Sequence, residues 1–170
     1  LDKINLHSEH LDEHHEMLFY YKIACIYFGN EKYNESVFYL EKIINNKNLY
    51  VREDLACFAR LLCLIAHYES GKDFNLENQL VSTYKFLIKM NDLHEVQKEI
   101  IRFLKKLSTI YPSDIKKEFI KVKERFVELE KNTYEKRAFL YLDIISWLES
   151  KIENRKISDI IKEKAKLSNR

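Results

Sequence analysis

The chain has 170 residues, of which 46% are hydrophobic and 33% charged, and a net charge of +2. That is enough apolar material for one ordinary core and too much for a disordered chain. With two glycines and one proline, nearly the whole length lacks helix breakers, so an all-α fold is expected and all-β architectures are excluded.

Residues 1–7 read as the tail of an earlier element. A helix is predicted to start after Ser8, whose hydroxyl can accept from an orphan backbone N–H while Glu9, Asp12 and Glu13 complement the helix dipole. It runs to Gly29, where Gly29 or Asn30 takes the left-handed conformation, and a return helix runs to about Asn46. In this hairpin Tyr20, Ile23, Ala24, Tyr27, Tyr33, Ser36, Leu40 and Ile43 fall at the offsets of the tetratricopeptide repeat, which the hairpin resembles. Two antiparallel helices approach closely only where both carry small side chains, so Ala24 and Ser36 should face each other at the crossing.

After a break at Asn45 to Asn48, residues 50–70 are apolar almost all round, the pattern of a helix buried on several sides. Gly71, Lys72 and Asp73 close it. Leu76, Leu80, Tyr84, Leu87 and Ile88 mark the next helix, to about Met90. Asp92 and Glu95 suit a capping box ahead of a stripe of Leu93, Val96, Ile100, Leu104 and Leu107. Tyr111 and Pro112 make the sharpest break, after which Ser113 can cap a helix carrying Ile115, Phe119, Val122, Phe126 and Leu129. Asn132 and Glu135 form another candidate capping box for one helix extending to Ile152. A last helix, about Ile157 to Ala165, turns Ile157, Ile160 and Ile161 inward and Lys162, Glu163, Lys164 and Lys166 outward, as a capping helix would.

These elements form one domain, residues 1–170, of antiparallel hairpins at about 9–46, 50–90, 92–130 and 133–166. Short connections and a loose period favour a tetratricopeptide-like right-handed α-solenoid, with a compact helical bundle as the alternative. The chain begins at Leu1, without methionine, and is expected to be the C-terminal piece of a longer chain. Ile4, Leu11 and Leu18 would leave an apolar N-terminal edge available for self-association.

No run of roughly eighteen apolar residues and no leader pattern occurs, which predicts no membrane span and a cytoplasmic protein. Cys25, Cys57 and Cys63 lie in apolar helical patterns without a Cys-x-x-Cys pair and read as reduced core residues. The basic excess falls in residues 98–170, yet Lys116, Lys117, Lys121, Lys123 and Arg125 are interrupted by Glu118, Glu124 and Glu128, which argues against a nucleic-acid partner.

No glycine-rich loop or nucleophilic constellation exists, so no enzyme, no cofactor and no catalytic residue is expected. His10, Glu13 and His14 have the H-x-x-E-H order of an inverted zinc-peptidase motif, giving a zinc-dependent hydrolase as the enzymatic rival. Packing or solvated histidines explain the same residues, and no metal site is assigned. The tetratricopeptide resemblance implies a non-catalytic scaffold that binds a protein or peptide partner in a concave groove, lined through the first repeat by Tyr21, Lys22, Cys25 and Phe28. A peptide-responsive regulatory domain is the second reading.

Overall fold

The computed structural model describes residues 12–46, 52–71, 76–90, 94–107 and 109–168. Among these the chain forms nine α-helices and no strand: α1 Glu13–Gly29, α2 Tyr33–Ile44, α3 Glu53–Glu69, α4 Leu76–Lys89, α5 Glu95–Leu107, α6 Ile115–Glu130, α7 Lys136–Tyr141, α8 Ile144–Glu153 and α9 Ile157–Ser168. No described helix is long and apolar enough to cross a membrane.

The Asp12 carboxylate accepts the His15 backbone N–H at 2.9 Å, so Asp12 is the cap of α1. The start after Ser8 and the edge residues Ile4 and Leu11 lie outside the described residues. At the other end of α1, Gly29 stays helical and Asn30 has φ −96°, while Glu31 takes the left-handed conformation at φ 61°. Hydrogen bonding dictates this. The Glu31 N–H donates to the Phe28 carbonyl and the Lys32 N–H to the Tyr27 carbonyl, both at 2.9 Å. In that Schellman closure the residue one past the cap must turn left-handed, and here it is Glu31, not either residue expected.

The first hairpin crosses where its small residues lie. Ala24 and Ser36 are fully buried, and the Ser36 hydroxyl donates to the Ala24 carbonyl at 2.9 Å. Tyr27 and Tyr39 stack beside that contact with centroids 5.7 Å apart.

α3 is the hub. Of its 17 residues, Leu55 to Ala59 and Leu61 to Ala66 are all buried, and it packs against α1, α2, α4, α5 and α7. It ends at Gly71 with φ 66°, a conformation glycine adopts without penalty. Of the residues expected in the breaks on either side, Asn48, Lys72 and Asp73 lie outside the described residues, as does Tyr50. α4 buries Leu76, Leu80, Thr83 and Leu87. Tyr84 and Ile88, expected on the buried stripe, face outward because the ridge spaced 4, 3, 4 meets α3 and α5 instead.

α5 buries Val96, Ile100, Leu104 and Leu107 as its stripe predicts, together with Phe103. Asp92 and Leu93 lie outside the described residues. The N-terminus of α5 is closed from forty residues away: Glu95 N–H and Val96 N–H donate to the two Glu135 oxygens at 3.1 and 3.0 Å. Glu135 is therefore not half of a capping box with Asn132, whose side chain accepts from Tyr134 N–H at 2.9 Å. A buried carboxylate gains more from two orphan donors at a positive helix end than from one local donor in solvent. Similarly, Pro112 to Asp114 form a turn, and the N-cap of α6 is Asp114 rather than Ser113.

The helix expected across residues 133–152 is two helices. Leu142 is extended at φ −131° and ψ 106°, and the Asp143 carboxylate caps α8 by accepting Ser146 N–H at 3.1 Å. The Tyr21 hydroxyl on α1 donates to the Tyr141 carbonyl at the break, 2.9 Å away. Phe103, Phe119 and Trp147 then form an edge-to-face cluster joining α5, α6 and α8. α9 packs on α8 through buried Ile157 and Ile160, while Ile161 is 39% exposed rather than fully inward. Lys164, expected outward, donates to Ser146 Oγ at 2.9 Å and pairs with Glu149 at 2.8 Å.

Two substitutions test this local account. Ala24→Leu forces a branched side chain between α1 and α2 and should cost about 1–3 kcal/mol by denaturant unfolding. Glu31→Gly removes the left-handed penalty at the hairpin turn, and stability by the same measurement should rise by roughly 0.5–1 kcal/mol.

Candidate functional site

The expected groove residues sit in unlike environments. Tyr21 is 4% exposed, hydrogen-bonded to the Tyr141 carbonyl and packed edge-on against the Tyr141 ring. Phe28 is buried against Tyr33 with centroids 5.5 Å apart. Cys25 is half-buried, and burial pushes its thiol up to about 11. Lys22 is exposed. The chain's own α2 and α7 thus occupy the space beside Tyr21 and Phe28.

Of the zinc-motif residues, His10 lies outside the described residues, and His14 Nε2 is 3.3 Å from Arg52 Nη1. Among the described residues no group of three His, Cys, Asp or Glu side chains has a metal-holding arrangement. Arg52 belongs to a tie between helix ends: it donates to Asp54 at 2.9 Å, Tyr141 OH donates to Asp54 Oδ2 at 3.0 Å, and Arg137 donates to the same oxygen at 3.1 Å. Burial opposes the Asp54 charge, but the Arg52 hydrogen bond, the Leu55 N–H and Tyr141 more than offset it and hold the carboxyl below its ordinary range.

A different place carries unsatisfied chemistry. Between α2, α3 and α4 lies a cavity of about 370 Å³, lined among others by Glu41, Arg60, Cys63, His67, Gln79 and Thr83. The α3 contribution is one helical face, since positions 60, 63, 64 and 67 follow the 3–4 spacing of a single stripe. Arg60 is the one basic residue in an otherwise apolar run of α3. Its guanidinium carbon lies 4.1 Å from the Phe86 ring centroid, and its buried Nε has no hydrogen-bond acceptor among the described residues. Gln79 Oε1 is likewise buried without a donor. Burial lowers the Arg60 pKa and pushes the Cys63 thiol up to about 12, so Cys63 stays a protonated, inert thiol.

Arg60 was legible in the sequence as a lone cation inside a helix apolar on all sides, a placement that normally demands a partner. What the sequence could not show is that its Nε finds no acceptor among the described residues.

On its outer side α4 presents a second feature. Val81, Tyr84 and Ile88 are 50%, 42% and 53% exposed, at the 3–4 spacing of one helical stripe. One helix therefore lines a polar cavity with Gln79 and Thr83 and shows an apolar stripe to solvent.

The chain matches no protein-family model, no curated protein and no solved structure.

An unpaired, partly buried cation opposes folding, so Arg60→Met should leave the protein folded and raise its stability by about 1 kcal/mol by thermal unfolding.

Proposed function

We propose that the chain is a non-catalytic, cytoplasmic protein- or peptide-interaction scaffold of tetratricopeptide-like type. The first hairpin supports the likeness, because its closest approach falls on the small pair Ala24 and Ser36. Sequential packing from α1 through α7, with α1–α3, α3–α5 and α6–α8 contacts between alternate helices, supports a stack of hairpins. Tyr21 meeting Tyr141 supports a tight curl in which α7 reaches back to α1, a feature shared with the bundle reading.

The observation that carries the functional reading is the outer stripe of α4. Three large apolar side chains on one face, each more than two-fifths exposed, retain an unfavourable hydration that a partner would relieve. With Tyr21 and Phe28 covered, this outer face is a better docking surface than the groove.

A photo-crosslinking residue in place of Tyr84, introduced in the source cells, tests it. A discrete protein adduct at that position, and none with the same residue in place of exposed Lys116 on α6, is expected. No adduct at Tyr84, or equal adducts at both, would sink the reading.

A further inference from the structure

The cavity between α2, α3 and α4 holds two opposite charges that do not meet. Neither Arg60 on α3 nor Glu41 on α2 makes an ion pair among the described residues. They nevertheless line one cavity together with Cys63, whose thiol feels both charges. Such a pair left apart by an open space is complemented by a molecule that carries both signs itself.

The geometry of Arg60 specifies which end goes where. The guanidinium lies over the Phe86 ring and its buried Nε–H has no acceptor among the described residues, and a guanidinium can receive a carboxylate through two parallel hydrogen bonds. Glu41 is exposed, at the rim, and accepts hydrogen bonds only. Gln79 Oε1 still needs a donor, which an ammonium or a peptide N–H supplies. Thr83 and Ser82 add hydroxyls to the wall. The volume of about 370 Å³ lies at the small end of ligand sites, fitting a molecule of one or two residues.

We propose that this cavity binds a small zwitterion, a free α-amino acid or a dipeptide, with its carboxylate on Arg60 and its ammonium toward Glu41. The site is separate from the α4 outer stripe and does not depend on the scaffold reading. It explains why a lone arginine stands in the most extensively buried of the described helices: the residue is held for the ligand, at a cost to stability in its absence.

Backbone amide shifts of the whole chain by NMR, during titration with the proteinogenic amino acids singly and with alanyl-alanine, test the proposal. The two groups of probes separate a free amino acid from a dipeptide. At least one zwitterion should produce saturable shifts clustered at Arg60, Cys63, His67, Gln79 and Thr83. Its N-acetylated form, lacking the ammonium, and its amide, lacking the carboxylate, should each bind about tenfold more weakly. Arg60→Gln should abolish the shifts. Glu41→Gln, at an exposed position that leaves the fold intact, should weaken the zwitterion while leaving the N-acetylated probe unchanged. The proposal is overturned if no probe gives saturable shifts in the native chain, if blocked and unblocked probes bind alike, or if Glu41→Gln weakens both equally.

Discussion

Everything in this structure answers to α3, a helix that cannot face water on any side. An amphipathic helix needs cover along one stripe, but α3 presents apolar side chains around its whole circumference from Leu55 to Ala66. Five other helices supply the cover. Ala56, Ala59 and Ala66 keep parts of its surface low, and neighbouring helices can then approach without overpacking. Each covering helix buries one stripe and leaves charge outside, which is why the lysine- and glutamate-rich segments coexist with a large core.

Apolar cover holds helices together without fixing their positions, because one apolar face slides on another at little cost. The polar ties at the ends of α3 restrict that freedom. At its N-terminus Arg52 and Asp54 meet Tyr141 and Arg137 from α7. At its C-terminus the Glu69 carboxylate accepts the Trp147 indole N–H at 2.7 Å and the Lys151 ammonium at 2.6 Å, both from α8. Glu135 adds a third tie, from just before α7 to the start of α5. All three link residues far apart in the chain, and each is anchored on a buried or half-buried carboxylate, Asp54, Glu69 or Glu135, where an unmade hydrogen bond costs most.

Arg60 stands out against that background. Polar side chains buried elsewhere have found partners: Ser36 on Ala24, Ser150 on the Trp147 carbonyl, Glu135 on two backbone amides. Arg60 has the Phe86 ring, in a cavity where Gln79 Oε1 is also buried without a donor among the described residues. A fold that satisfies its polar groups so consistently makes the exception informative, since natural proteins carry such local violations chiefly at functional sites. α4, which forms the opposite wall, also bears an exposed apolar stripe, so the polar cavity and that stripe lie on the two sides of one helix.

The sequence by itself determined the all-helical class, the order of the helices and most of the buried stripes. Those follow from local properties: the scarcity of glycine and proline, the 3–4 spacing of apolar residues, and the small pair Ala24 and Ser36. Several features that depart from the local pattern were decided by a distant partner. Periodicity ran straight through Leu142, since the residues on both sides are apolar, but the Asp143 cap and the Tyr21 hydroxyl make a break there favourable. Glu135 looked like a local cap until α5 offered it two donors. Tyr84 and Ile88 fitted a helical stripe, yet which ridge of α4 meets the core depends on where α3 and α5 lie. The cavity around Arg60 is tertiary in the same sense: a sequence shows that a cation sits among apolar residues, but whether an acceptor reaches it is settled only when three helices are brought together.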